Sequence, residues 1–223
     1  MSEISENLYR IRAELQVLPS PPKLIAVSKK KPLSAVLEAV QSGQKIFGEN
    51  QIKEGIEKFS SLYESGTEFE LHHLGKVQSG TLKKLFGFFH FTHGVCTESS
   101  LKELAKQSEK SKKKLFFFLE ANLLNEDSKQ GLCRKDLLSV LGRINTYETE
   151  YLRFAGLMTM GPADENPAET RKAFSELRKI RDEFCPNSAL SMGMSGDYRT
   201  AIEEKTDYIR IGTSIFGNRI QTD

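Results

Sequence analysis

The stretch Leu24-Ile25-Ala26-Val27-Ser28-Lys29-Lys30-Lys31-Pro32 decides the fold class of this 223-residue chain. Its opening residues form an apolar run of the kind buried on both faces of a parallel sheet. A doubly wound sheet would carry a glycine-rich dinucleotide fingerprint directly after such a first strand. Three lysines and a proline stand there instead. Outward from this point the pattern repeats: a short apolar run, a turn, then a helical periodicity. Strands are predicted at 24–28, 45–48, 69–74, 89–95, 115–121, 152–158, 189–193 and 207–211. Amphipathic helices are predicted between them, at 33–40, 101–108, 136–147 and 170–184 among others. Eight β/α units in a chain this short predict an α/β protein built as one (β/α)8 TIM barrel.

An extra N-terminal helix, within residues 1–19, precedes the first strand. Ile4, Leu8, Ile11 and Leu15 share one of its faces, and Pro19, Pro21 and Pro22 end it. Boundary signals agree with the units. Gly43 suits a helix C-terminus, while Glu98-Ser99-Ser100 and Asn166-Pro167 suit helix starts. No linker or low-complexity tract interrupts the pattern, so a single domain over 1–223 is expected.

Charge narrows the function. The 32 basic and 30 acidic side chains nearly cancel, which does not point to nucleic acid or a membrane surface. The run Lys110-Ser111-Lys112-Lys113-Lys114 reads as the solvated end of a helix. The N-terminal residues carry no apolar stretch of a signal peptide, and no run approaches the ~18 apolar residues of a membrane span. Cys96, Cys133 and Cys185 are few, odd in number and far apart. They predict neither a disulfide framework nor a zinc site, and they fit a reducing cytoplasm.

In this fold functional groups gather at strand C-termini. Strand alternation places Ile25, Val27 and Lys29 on one face, and Tyr208, Arg210 and Gly212 on one face, with Ile209 and Ile211 toward the helices. An arginine inside a barrel needs an anion or acceptor, because it does not shed its charge. The loops after strands 7 and 8 are the fold's usual phosphate site. Here they read Ser195-Gly196-Asp197, expected to open a helix, and Gly212-Thr213. An amine, a fixed cation and a phosphate turn are the parts that hold pyridoxal 5'-phosphate, an aldehyde with a phosphate tail. Taken singly, Lys29 also reads as a solvated lysine and Arg210 as half of a structural ion pair. His72 and His73 face opposite ways, as do His90 and His93, which does not favour a metal site. Phe88-Phe89 and Phe116-Phe117-Phe118 read as core strands.

The segments Ala26-Val27-Ser28-Lys29, Phe47-Gly48-Glu49-Asn50, Leu190-Ser191-Met192-Gly193-Met194-Ser195 and Arg210-Ile211-Gly212-Thr213-Ser214-Ile215-Phe216-Gly217 resemble the pyridoxal phosphate homeostasis protein family. Asn125-Glu126-Asp127-Ser128-Lys129-Gln130-Gly131 and Gly156-Leu157-Met158 resemble its middle motifs. The family is similar in fold to the N-terminal barrel of alanine racemase. The resemblance implies that Lys29 forms a Schiff base with pyridoxal 5'-phosphate, in preference to Lys30 or Lys31. It further implies that Ser195, Gly196, Gly212 and Thr213 hold the phosphate, that Arg210 faces the pyridine nitrogen, and that Asn50 lies beside the ring. One motif departs: Gly80 and Thr81 stand where the family usually has Asn and Lys, so a contact made by those two does not carry over.

Opposite Arg210 the pyridine nitrogen stays unprotonated, because a second positive charge there is disfavoured. Such a ring is a poor electron sink. The expectation is therefore a cytoplasmic, monomeric carrier or buffer that supplies pyridoxal 5'-phosphate to apo forms of dependent enzymes, without strong catalysis of its own. The alternatives are a weak amino-acid racemase that uses Lys29 with a mobile tyrosine or histidine, and a phosphate-sugar-binding barrel without aldehyde chemistry.

Overall fold

Strand β1 (Lys23–Val27) lies between β2 (Ile46–Glu49) and β8 (Tyr208–Ile211), so the first and last strands of the chain are hydrogen-bonded neighbours. The remaining strands are β3 (Glu70–Lys76), β4 (Phe91–Val95), β5 (Leu115–Ala121), β6 (Leu152–Thr159) and β7 (Ala189–Ser191). They pair in chain order, all in parallel, and close an eight-stranded barrel. The structure is a computed structural model that describes residues 2–124, 126 and 130–218. Every strand falls within two residues of its predicted place, because continuous apolar runs between turns leave little freedom in this fold.

The helices are α1 (Glu3–Gln16), α2 (Leu33–Gln41), α3 (Ile52–Glu64), α4 (Glu98–Ser111), α5 (Arg134–Leu141), α6 (Pro167–Phe184), α7 (Tyr198–Glu203) and α8 (Thr213–Phe216). Helix α1 precedes the barrel and buries Leu8, Ile11 and Leu15. Two predicted units differ. The third carries only a 3₁₀ turn, Ser79–Lys84, after its strand. Gly75, Gly80 and Gly87 punctuate that segment and weaken any longer helix. The predicted helix at 136–147 breaks at Gly142 into α5 and a 3₁₀ turn, Ile144–Thr146.

Register decides which side chains enter the barrel. Leu24, Ala26, Ile209 and Ile211 pack with the helices, whereas Ile25, Val27, Phe118, Met158 and Tyr208 form a separate interior cluster. Arg210 lies opposite Ile25 in the β1–β8 ladder, and it is buried. Phe116 corrects the sequence expectation. It shares the interior parity of Phe118 but sits at the strand's N-terminal end, 38% exposed and stacked on Phe91. At the opposite end the backbones of β2, β3 and β4 crowd. A Cβ at Gly75 would lie 2.0 Å from the Asn50 carbonyl oxygen, and one at Gly94 1.9 Å from that of Gly75.

Helix ends follow their local chemistry. Asn166 caps α6 through the Ala168 and Glu169 N–H groups, with Pro167 in the first turn. At the end of α2 the Gly43 N–H donates to Val40 and the Gln44 N–H to Ala39, a Schellman closure with φ +79° at Gly43. Helix α7 closes the same way, with Thr206 donating to Ala201 and Lys205 to Ile202. Here the left-handed residue is exposed Lys205, at φ +58°. A β-carbon there is disfavoured by about 1–2 kcal/mol, partly offset by the unfolded-state entropy of glycine. Lys205→Gly is therefore expected to stabilise the fold by about 0.5–1 kcal/mol, a rise of about 1–4 °C in melting temperature by calorimetry.

Candidate functional site

A cavity of 390 Å³ opens at the C-terminal end of the barrel, and all seven residues singled out from the sequence line it: Lys29, Asn50, Ser195, Gly196, Arg210, Gly212 and Thr213. Its remaining wall includes Met158, Met160 and Glu165. The three consecutive lysines diverge. Lys29 lines the cavity. Lys30 takes a left-handed conformation (φ +58°), and its N–H donates to Glu54 Oε1 at 2.5 Å. The Lys31 Nζ donates to the carbonyls of Phe216, Gly217 and Asn218 at 2.8–3.0 Å, just past the end of α8.

Buried groups brace the strand end that carries Lys29. Ser28 Oγ donates to Glu49 Oε1 at 2.7 Å, and Lys58 Nζ donates to the same oxygen and to the Ser28 carbonyl, both at 2.7 Å. Glu54 completes the set, 2.8 Å from Lys58 Nζ. Burial raises the Glu49 carboxyl above its usual range, against the pull of Lys58. Lys58 was not legible as a site residue: it interrupts the buried face of α3, among Ile52, Gly55, Phe59 and Leu62. That interruption was the available signal.

Asn50 is held through its backbone. His73 is buried on the outer face of β3, where Nδ1 lies 3.0 Å from Thr92 Oγ1 and the ring donates to the Asn50 carbonyl. Burial lowers its pKa to about 4, so the ring is neutral at neutral pH.

Arg210 forms the inner floor of the cavity. Its Nη1 donates to Ser191 Oγ at 2.7 Å, and its Nη2 donates to the Thr159 carbonyl at 3.0 Å. Burial lowers its pKa to about 10, while Asp197 and Glu120 hold it up, so it stays charged. Across the cavity Ser195 Oγ accepts the Ser214 N–H at 3.4 Å and ties the loop after β7 to the loop after β8. The expected helix start at 195–197 lies slightly later. Asp197 occupies the N-cap position of α7, but its Oδ1 accepts the Met194 N–H at 2.5 Å, closing the turn on itself. Glu165, at φ +56°, brings its carboxylate beside Gly196, 3.6 Å from where a Cβ would stand.

The other sequence signals divide. Met158 lines the cavity, whereas Gly156 serves packing, since a Cβ there would lie 1.8 Å from the Ala189 carbonyl oxygen. Of the motif at 125–131, Asn125 and residues 127–129 lie outside the described residues. Gly80 and Thr81 are exposed on the 3₁₀ turn and do not line the cavity. Among the described residues no group of three or more His, Cys, Asp or Glu is placed to hold a metal ion, and no helix is long and apolar enough to cross a membrane.

Comparison with known proteins places this geometry. Residues 1–219 match the family described as alanine racemase, N-terminal domain. The pyridoxal phosphate homeostasis protein of Haemophilus influenzae is 34% identical over 203 residues, covering 88% of this chain and 85% of that protein. The chain belongs to the pyridoxal phosphate homeostasis protein family. PipY of Synechococcus elongatus, solved with pyridoxal 5'-phosphate bound, superposes with a TM-score of 0.85 at 32% identity, over 96% of this chain and 100% of that one. An alanine racemase of Clostridium difficile shares the fold alone, with a TM-score of 0.76 at 14% identity, and this chain covers 58% of it.

Two outcomes test the bracing groups. Lys58→Met leaves Glu49 buried without its cation and is expected to lower unfolding free energy by about 3–5 kcal/mol in urea titrations, with partial recovery in Glu49→Gln/Lys58→Met. His73, with its folded pKa lowered, contributes stability that is present above its unfolded value near ~6.5 and lost as pH falls toward the folded value. His73→Gln is therefore expected to remove about 1.4 kcal/mol per pH unit from the decline of stability through that window.

Proposed function

We propose that this chain binds pyridoxal 5'-phosphate in the cavity lined by Lys29 and Arg210, and serves intracellular pyridoxal phosphate homeostasis as a carrier. The observation that carries this reading is the convergence on one cavity of an amine, a buried guanidinium and two linked loops after β7 and β8. The donor set fits the group. Bound cofactor supplies an aldehyde that an amine can capture as a Schiff base. Lys29 is the amine of that pair. Arg210, which only donates, matches the lone pair of an unprotonated ring nitrogen. Asn50 flanks the ring at the rim. Ser195 and Thr213 bring hydroxyl donors, and Gly196 and Gly212 let backbone approach the phosphate. At Gly212 a Cβ would sit 3.2 Å from the Val27 carbonyl oxygen, so a side chain there would crowd the strand carrying Lys29.

The reading as a carrier rather than an enzyme rests on the same geometry. Arg210 disfavours a proton on the ring nitrogen, which keeps the ring a weak electron sink. Among the described residues the titratable side chains lining the cavity are Lys29, Glu165, Asp197 and Arg210. Neither a tyrosine nor a histidine is among these lining residues to serve as the second acid–base group of a racemase. In this reading the chain acts as one monomeric domain over 1–223 in a reducing cytoplasm, and its partners are apo forms of dependent enzymes.

The test is absorbance of the purified protein mixed with pyridoxal 5'-phosphate, before and after borohydride reduction. A band near ~420 nm that reduction converts, with the added mass mapped to Lys29 and both lost in Lys29→Ala, is the expected result. No band and no added mass on Lys29 would overturn the reading and leave a phosphate-binding barrel without aldehyde chemistry.

A further inference from the structure

Below the cavity, polar side chains run through the barrel interior in one unbroken line. Arg210 Nη1 lies 2.7 Å from Ser191 Oγ, and Ser191 Oγ lies 3.0 Å from His93 Nδ1. His93 Nε2 lies 2.8 Å from His72 Nδ1, and His72 Nε2 lies 2.7 Å from Glu70 Oε1. Ser191, His93 and His72 are fully buried, whereas the Glu70 side chain is 32% exposed at the far end. Stacking fixes both rings: His72 on Phe91 at 4.5 Å and His93 on Phe118 at 4.2 Å between centroids.

The two ends dictate every proton between them. A guanidinium only donates, and an ionised carboxylate only accepts. Starting from Glu70, His72 must carry its proton on Nε2. If His72 is neutral, its Nδ1 accepts, and His93 must carry its own proton on Nε2. His93 Nδ1 then accepts from the Ser191 hydroxyl, whose oxygen accepts from Arg210. From the arginine end the same pattern follows. Burial lowers the pKa of both histidines; at Glu70 burial pushes the carboxyl up, but the hydrogen bond from His72 together with the neighbouring His72, Lys23 and His90 lowers it overall.

We propose that Arg210→Ser191→His93→His72→Glu70 is a one-way donor chain that fixes the guanidinium against the cavity, which makes Ser191, His93 and His72 positioning residues for the bound ligand. The alternative of a reversed chain requires a protonated Glu70 and leaves the Ser191 hydroxyl facing a group that does not accept. A proton added to His72 puts N–H against N–H, and one added to His93 Nδ1 takes away the acceptor of the Ser191 hydroxyl. The chain therefore weakens in acid. The charged and titratable neighbours are Glu70, Lys23, His90 and Tyr208 around His72, and Arg210, His73 and Tyr208 around His93. Apart from Glu70 and the phenol of Tyr208, they are cations or bases, which oppose a further proton.

The claim for Arg210 as a ligand contact rests on the proposed cofactor reading, whereas the chain itself does not. Imidazole 15N–1H correlation spectra of the ligand-free protein read it directly. Both rings are expected as Nε2–H tautomers, unchanged from about pH 8 to about pH 6, where a free histidine titrates. An Nδ1–H tautomer, or titration of either ring in that range, would overturn the chain. Ser191→Ala is expected to give mixed tautomers at His93 and to weaken pyridoxal 5'-phosphate binding about tenfold, with Ser191→Thr restoring both. Glu70→Gln, which keeps an acceptor, is expected to leave the tautomers in place. Wild-type affinity in Ser191→Ala would overturn the positioning role even with the tautomers as expected. If the wild-type protein takes up no cofactor, the function reading falls, and the chain stands or falls on the tautomers alone.

Discussion

A guanidinium enclosed by eight strands keeps its charge, since its proton is not shed at any physiological pH, and the surroundings must supply what water no longer does. Arg210 finds a hydroxyl at Ser191, a carbonyl at Thr159 and, more distantly, the carboxylates of Asp197 and Glu120. Each comes from a different strand or loop, so the charge can be accommodated only when β5, β6, β7 and β8 have closed together. The closed barrel is thus a condition of the buried charge. It also places a fixed positive charge where the cavity begins.

The second buried ionic group follows a different logic. Glu49 and Lys58 lie between strand and helix, 2.7 Å apart and almost without solvent. A well-packed apolar pair would serve stability equally well there. What an apolar pair would not do is bind the Ser28 hydroxyl and the Ser28 carbonyl together, as Glu49 and Lys58 do. The pair thereby fixes the peptide immediately before Lys29. With the Lys30 N–H held by Glu54 and the Lys31 ammonium on the carbonyls at the end of α8, Lys29 is the one of the three that lines the cavity.

Parity is what made the site readable from sequence. Buried parallel strands alternate inward and outward, so knowing that Ile209 and Ile211 face helices sends Arg210 inward, and the same argument sends Lys29 to the cavity. That the loops after β7 and β8 would reach one cavity followed from fold position alone. What stayed hidden depends on pairs distant in sequence. Nothing local to His72 announces His93, and nothing local to His93 announces Ser191, 98 residues away. Lateral contacts within the barrel depend on shear and on bulges such as that between His73 and Lys76, which strand periodicity does not encode. The shortened third unit was missed for a related reason, since its glycines weaken a helix without indicating what replaces it.

The cavity joins two mechanically different parts. Its floor is barrel: Arg210, held by strand residues that move only if the barrel does. Its rim is loop: Asn50, Gly196 and Thr213 are exposed, and among the described residues Ser195 ties the β7 loop to the β8 loop through a 3.4 Å hydrogen bond. Among the described residues lining the cavity two carboxylates, Glu165 and Asp197, offset two cations, Lys29 and Arg210, so their charges nearly balance. An anion held there relies on short-range N–H and hydroxyl donors rather than on net charge. Short-range donors are lost by small loop movements that leave the floor intact. In a carrier, retention and release therefore divide between barrel and loops, and the barrel need not reorganise to let its ligand go.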